Sequence, residues 1–474
     1  MSKRTLLSVA ACTLLSGCSV GPRYVKPTPA LPPVFSESAA PFISTQAPAS
    51  ALWHSFGDQR LDALMATALT HNKTLEQALA QVNEARAIRG LDAFALFPTI
   101  TANASSDRSL PSSRDPLVPP GIGKLSSFKA GFDAAWEVDL FGGALNTRRI
   151  AVAQEEATLA NLDAARQSVL AEVAQAYFSL RAEQERLRVQ TRNVANLEEN
   201  QRLVEARNQV GRGTDLDIDR SRSLLLVTLA RVPQTEATIT RNEQRLAVLT
   251  AQSLTSLREQ LGPPAPIPTM PALVTVGTPE AWLRRRPDIR QAERKLSAAT
   301  AQISVDVADY FPKLTLLGGL GWTGQLASDI GKAAAERWHY GPSLTWSFLD
   351  IGRVRQRVRA SKARAAGALA AYDDTVLRAL EETENALAGY RAANRSATIL
   401  EQAVTTARSA SGLANAQFNA GAADSLVVLD AERTQLDAED QLATAESQRA
   451  TSLAALYKAL VGDFAAAPAA TNKP

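Results

Sequence analysis

The chain has 474 residues, with 51 Lys and Arg against 48 Asp and Glu, 45% apolar residues and only 5% aromatic ones. A balance so near neutral excludes nucleic acid as a main partner, since phosphate binding needs a concentrated basic face. Two cysteines, Cys12 and Cys18, and three histidines without ligand spacing exclude a disulfide framework and a thiolate or histidine metal centre in the body of the chain, so no metal and no cofactor is expected.

At the N-terminus Lys3 and Arg4 precede an apolar run from Thr5 and then Leu15-Ser16-Gly17-Cys18. This order of basic, apolar and small residues predicts a signal peptide over 1–17. It resembles the lipobox of bacterial lipoproteins, which implies acylation at Cys18; Ser19, where the inner-membrane retention pattern has Asp, implies the outer membrane. Residues 18–52 are rich in Pro, Ser and Ala and read as a lipidated tether. No later stretch has the ~20 consecutive apolar residues of a membrane helix, so a bilayer crossing would have to use strands.

A first structural repeat covers 53–261. Leu61, Leu64, Met65, Ala68 and Leu69 share one helical face, and the helical pattern stops at Phe97-Pro98. From Thr99 the period becomes two: Ile100, Ala102 and Ala104 alternate with polar residues. After a loop at 110–123, Phe128, Ala130, Phe132, Ala134 and Trp136 alternate with Lys129, Gly131, Asp133 and Glu137. One face suits lipid and the other water, although alternation alone also fits a soluble antiparallel sheet. The run from Asn146 to Val210 lacks proline and carries Val173, Leu180, Leu187 and Val194 every seven residues. As a helix it would be on the order of 95 Å long. Val210-Gly211-Arg212-Gly213 reads as a turn, with Gly211 and Gly213 at its tip, and a second helix from Thr214 to about Leu261 runs back.

A linker at 262–280 leads to a second repeat over 281–462, and 463–474 is a tail. Asn72-Lys-Thr-Leu-Glu-Gln-Ala78 returns as Arg286-Pro-Asp-Ile-Arg-Gln-Ala292, and Phe97-Pro98 returns as Phe311-Pro312, a displacement of 214 residues. Further on, Trp136 matches Trp346 and Gly211 matches Gly421 at 210. Leu314, Leu316, Leu320 and Trp322, then Tyr340, Leu344, Trp346 and Phe348, repeat the alternation. Long helices flank the tip turn at Gly421. Gly318-Gly-Leu-Gly321 lies inside a strand pattern and precedes no helix, so it is not read as a nucleotide loop.

Four strands cannot close a barrel, and open edges in hydrocarbon would leave backbone groups unpaired at several kcal/mol each. Three chains would supply twelve strands. The fold class expected is mainly α with a transmembrane β-barrel: long antiparallel helical hairpins plus four strands per chain, internally duplicated, closing as a trimer.

Cys18-Ser-Val-Gly-Pro-Arg-Tyr-Val-Lys-Pro27, Arg284-Arg-Arg-Pro-Asp-Ile-Arg-Gln-Ala-Glu293, the two Phe-Pro pairs and Leu429-Asp-Ala-Glu-Arg433 resemble the outer-membrane factor (TolC-like) family, in its NodT-type lipoprotein branch. The resemblance covers nearly all of the mature chain. It implies a homotrimer in the outer membrane, lipid-anchored and extending into the periplasm, with a twelve-stranded barrel and a helical tunnel. A periplasmic adaptor (membrane fusion) protein and an inner-membrane efflux pump are the partners it implies, and the function is that of a passive exit duct rather than an enzyme.

Leu426, Asp430 and Arg433 fall at i, i+4 and i+7, on one helical face beyond Gly421. Spacing alone fits a solvated coiled-coil face; the resemblance implies the periplasmic gate, with Asp430 to Arg433 links tying neighbouring helices. The first repeat departs from this, placing Leu216, Arg220 and Ser223 at the matching positions. Asp215, Asp217 and Asp219 read as the capped start of a helix. The rival reading is a structural periplasmic coiled-coil lipoprotein without a pore.

Overall fold

The computed structural model describes residues 19–37, 41–46, 52–112, 123–271 and 273–460, with 114, 116, 119 and 121. Cys18 and the signal peptide and tail expectations at 1–17 and 463–474 lie outside the described residues. In chain order the elements are β1 (Ile43–Ser44), α1 (Gln59–His71), α2 (Lys73–Phe94), β2 (Thr99–Ser109), β3 (Leu125–Val138), α3 (Gly143–Gln209), α4 (Asp215–Leu229), α5 (Val232–Thr250), α6 (Leu254–Leu261), β4 (Val274–Thr275), α7 (Pro279–Arg285), α8 (Pro287–Ala308), β5 (Lys313–Gly324), β6 (Glu336–Thr345), α9 (Ile351–Asn419) and α10 (Ser425–Leu460). They sort into two compact units, one of residues up to 28, 81–159 and 291–373, the other of 29–80, 160–290 and 374 onward. Among the described residues no helix is long and apolar enough to cross a membrane.

The first unit is built on an antiparallel sheet ordered β2-β3-β5-β6. Its register sorts side chains by period two. One face carries the rows Ala102, Phe132, Leu320, Trp338 and Ile100, Ala134, Gly318, Tyr340; the other carries Thr101, Asp133, Gly319, His339 and Asn103, Gly131, Gly321, Arg337. Phe132, Leu320, Trp338, Tyr340 and Leu344 are exposed. β2 and β6 are the sheet edges, each with one row of backbone groups left without a strand partner among the described residues.

The duplication is visible at the base of this sheet. Trp136 Nε1 donates to the Leu96 carbonyl at 3.0 Å, and Trp346 Nε1 donates to the Tyr310 carbonyl at 3.1 Å. Each indole thus ties down the Phe-Pro corner where helix becomes strand, because proline removes the donor that would continue the helix. Phe311 of the second corner stacks on Phe141 with ring centroids 4.5 Å apart. Residues 19–26 are fastened to this unit. The Val20 amide donates to the Phe141 carbonyl, Asn146 Nδ2 to Ser19 Oγ, Ser304 Oγ to the Pro22 carbonyl and the Tyr24 hydroxyl to Glu293.

The second unit holds the aromatic core. Phe56 packs edge-on against Phe178 and near Tyr457, which also meets Trp53. Asp58 caps α1 by accepting from the amides of Arg60 and Leu61, and it also accepts from the Tyr177 hydroxyl. Arg181 is fully buried and serves carbonyls, donating to Leu261 and Pro263 at the end of α6. Here too the repeats match: Asn72 Nδ2 donates to the Leu249 carbonyl, while at the equivalent place Arg286 Nη1 and Trp282 Nε1 donate to the Ala459 carbonyl. Different side chains make the same lock. Residues 35–36 and 43–44 are held as well, by Phe35 against Trp282, Ser36 on Glu384, and β1 paired parallel to β4.

Three features differ from what the sequence predicts. The return run of the first repeat is three helices: Pro233 near the start of α5 forces a new start after Leu229, and Ala251 at φ 52 closes α5 in a left-handed turn. Its counterpart α10 is continuous over 36 residues. The seven-residue seam also drifts. Val173 and Leu180 are buried, but Leu187 and Val194 are half-exposed, and burial passes to Asn193, Leu197, Asn200 and Val204. A helix of 3.6 residues per turn loses ~20° per heptad against a strict seven-residue stripe. The described residues 19–26, 35–36 and 43–44 of the Pro-rich segment, finally, are held against the body of the chain, where the sequence reads as an extended tether.

The close approach of β3 and β5 sets a testable limit. A Cβ at Gly131 would stand 2.5 Å from the Leu320 carbonyl oxygen, whereas one at Gly318 would meet its nearest atom at 4.0 Å. Gly131→Val is expected to lower stability by ~1–3 kcal/mol and Gly318→Ala to leave it nearly unchanged, read as thermal unfolding midpoints of the purified protein.

Candidate functional site

The helical pairs of the second unit end in two turns of the same construction. In the first, the Gly211 amide donates to the Asn208 carbonyl at 2.9 Å and the Arg212 amide to Arg207 at 2.8 Å; in the second, Gly421 donates to Phe418 at 3.0 Å and Ala422 to Gln417 at 2.8 Å. This double bond pattern needs a left-handed residue after the helix, and the φ values are 73° at Gly211 and 76° at Gly421. Gly213 differs: its φ is not positive, its Cβ would lie 3.2 Å from the Asn208 nitrogen, and Ala423 fills the matching place. Thr214 opens α4 with a capping box, its hydroxyl accepting from the Asp217 amide while Asp217 accepts from the Thr214 amide. The two turns are joined by Arg207, whose guanidinium donates to the Phe418 carbonyl at 2.7 Å and lies over the Phe418 ring at 3.6 Å.

Leu426, Asp430 and Arg433 occupy the exposed face of α10, opposite Val428, which is buried with Ala414 and Phe418. Arg433 Nη2 donates to Asp430 Oδ1 at 3.3 Å along the same helix, with both side chains about two-thirds exposed. Within one chain the pair links consecutive turns of α10, where the resemblance implies links between neighbouring helices. Such exposed pairs contribute little, so this one can exchange partners readily. Leu216 is exposed at the matching point of α4.

On its inner face α10 presents Glu432, Glu439 and Glu446, one heptad apart, toward α3 and α9. Glu439 is buried, receives Arg192 Nη2 and Arg408 Nε at 2.7 Å each, and is also bonded by Asn193 and Gln435. Burial works against its charge, but the bonds from Arg408 and Gln435 and the charge of Arg192 hold its carboxyl below the usual range. Seven residues nearer the turns, the layer recurs without arginine. Glu432 Oε1 accepts from Asn200 Nδ2 at 2.5 Å and Asn415 Nδ2 at 3.4 Å, and Oε2 is buried without a hydrogen-bond partner. Burial pushes the Glu432 carboxyl up, more than the amides of Asn415 and Asn200 pull it down. Seven residues farther from the turns, burial also raises Glu446, with Arg449 opposing and Glu401 and Glu185 reinforcing the rise.

Helical spacing located the outer face of α10 in the sequence but not this inner ladder. Its signal was present as Glu432, Glu439 and Glu446 beside Asn193 with Asn200 and Arg408 with Asn415, each pair seven apart. Charged residues at that spacing look like a solvated stripe until the partner helices are known.

The sequence profile of the family described as "Outer membrane efflux protein" matches residues 64–252 and 278–462. Nodulation protein T of Rhizobium leguminosarum bv. viciae is 30% identical over 461 residues, covering 97% of this chain and 94% of that protein. The pyoverdine export outer membrane protein OpmQ of Pseudomonas aeruginosa is 30% identical over 98% of both chains. Among solved structures, the outer-membrane channel OprN superposes with a TM-score of 0.89 at 37% identity, over 94% of this chain and 99% of that one.

The two turns yield a paired prediction. Gly421→Ala forces a Cβ into the left-handed region and is expected to cost ~1–2 kcal/mol. Gly213→Ala reproduces what the second turn already carries at Ala423 and is expected to cost less than ~0.5 kcal/mol. Denaturation midpoints of the two variants measure the difference.

Proposed function

This chain belongs to the outer membrane efflux protein family, and from that premise we propose that three copies close one duct, gated at its periplasmic end and fed by an inner-membrane pump through a periplasmic adaptor protein. The chain is an outer-membrane efflux channel extending into the periplasm. The observation that carries the trimer is the sheet. It has one apolar and one polar face and ends in two open edges, β2 and β6. In hydrocarbon those edges must pair, and β6 of one copy against β2 of the next, three times over, gives twelve strands with no edge left. Acylation at Cys18 would add a lipid anchor to the residue preceding Ser19 and Val20, which are themselves bonded to Asn146 and Phe141.

Gating is assigned to Leu426, Asp430 and Arg433. Threefold symmetry turns each into a ring, and exposed Leu216 adds a second apolar ring from α4. Because Arg220 and Ser223 stand where Asp430 and Arg433 would be, the charged closure belongs to the second repeat alone. Substrates move down the gradient set by the pump, so no binding pocket for them is required.

Single-channel recording in planar bilayers tests this. The wild-type trimer is expected to conduct poorly and an Asp430→Ala, Arg433→Ala double variant to conduct several-fold better. A stable monomer in detergent, or no conductance in either form, would instead make the chain a structural coiled-coil lipoprotein.

A further inference from the structure

The ladder of glutamates on α10 repeats one layout three times with different partners. In the Glu439 layer two arginines neutralise the acid. One heptad toward the turns, α9 replaces Arg408 with Asn415 and α3 replaces Arg192 with Glu199, so Glu432 faces amides where Glu439 faces cations. Glu199 does not supply the missing charge; it is itself an acid, paired to Arg202 at 3.3 Å. On α9 the nearest arginine in the pattern, Arg408, is already bound to Glu439. On α10 itself Arg433 points outward and pairs with Asp430. The charged side chains of α4, which also packs on α10, are Asp215, Asp217, Asp219, Arg220 and Arg222, and the groups acting on Glu432 include no cation from any of these helices.

Glu432 is half-buried with Oε2 shut away from solvent, and such a carboxylate without a counter-charge favours neutralisation or hydration. Its surroundings favour the first. The amides of Asn200 and Asn415 both donate to Oε1, so their carbonyl oxygens are left as acceptors, and a cavity of about 270 Å³ beside Glu432 is lined by those two together with Asn193, Asn196, Gln435 and the acid Glu199. Oε2 is buried and unbonded among these groups. A proton on Oε2 turns an unbonded acceptor into a donor and removes the charge.

We propose that Glu432 is a proton-binding site that sets how tightly the ends of the helical pairs pack: neutral, the layer closes; ionised, it loosens. The direction follows from linkage. Because packing raises the carboxyl above its ordinary value, the packed state gains stability as pH falls through that raised value and loses it as pH rises through it. Acidification therefore tightens the turns and alkalinity frees them. The Glu439 layer, with its acid held charged by two arginines, does not titrate in the same window and acts as the fixed floor beneath.

Hydrogen exchange of the purified full-length protein in detergent, followed by mass spectrometry over 195–208 and 426–438 and corrected for intrinsic rates, tests this without reference to conduction. From about pH 7.5 down to about pH 4.5, the ordinary carboxylate range, exchange in both segments is expected to slow several-fold. Glu432→Gln, neutral at any pH, is expected to exchange slowly at both, and so is Asn415→Arg, which rebuilds the Glu439 layer. If Glu432→Gln fails to fold, Asn415→Arg decides alone. Wild-type exchange independent of pH, a variant that keeps the wild-type pH response, or rapid exchange of Glu432→Gln at both values would each overturn the proposal. So would slowing at about pH 7.5 by added calcium chloride in place of acid, which would make the cavity a metal site.

Discussion

A strand edge cannot be left bare in hydrocarbon, and nearly every large feature of this chain answers to that constraint. Water pairs an exposed N–H or C=O at little cost; the interior of a bilayer offers nothing in its place. Four strands sorted into an apolar and a polar face are suited to such a medium on one side only, and β2 and β6 pass the requirement for pairing to the next copy. Closure of a barrel, on the trimer proposed above, would thus belong to the assembly. The corners below the sheet have to hold each strand pair at a defined entry, which is the work of the indoles of Trp136 and Trp346 on the carbonyls before the Phe-Pro pairs.

The helical part solves a different problem. The contact between its helices is not uniformly apolar. Near the aromatic core it is greasy, with Phe56, Phe178 and Tyr457 in contact. Toward the turns it becomes a series of polar layers in which Asn200, Asn415, Arg192 and Arg408 meet glutamates. Polar layers of this kind specify register at some cost in stability, since a slip of one turn would leave a buried charge unmatched. The same feature makes the far ends of the helices responsive to charge, where a fully apolar seam would be indifferent to it.

Duplication produced two copies that share architecture and diverge in detail. Asn72 and Arg286 make one lock with different chemistry; Gly211 and Gly421 make one turn with the same chemistry. Divergence is concentrated on the returning helices, where Pro233 and the left-handed Ala251 divide the first repeat's return run into α4, α5 and α6, while α10 runs unbroken. The unbroken helix is the one that carries both the exposed Leu426, Asp430, Arg433 face and the inward-facing glutamates, of which Glu439 is buried.

Local rules were enough to read much of this from the residues alone. Period-two alternation located the four strands, proline ended the helices at Phe97-Pro98 and Phe311-Pro312, and glycine marked both turns, because each of these signals depends on a residue and its immediate neighbours. The sequence also determined that the strands come in matching pairs, through the repeat. What it left open depends on residues far apart in the chain. Whether Glu432 meets an arginine or an asparagine is decided by which turn of α3 and α9 lies opposite, whether Leu187 is buried by the slow drift of a 3.6-residue helix against a seven-residue pattern, and whether the Pro-rich segment is held by carbonyls and carboxylates hundreds of residues away. Tertiary structure decided these because burial and hydrogen-bond partnership are properties of the space between elements, and no single stretch of chain contains that space.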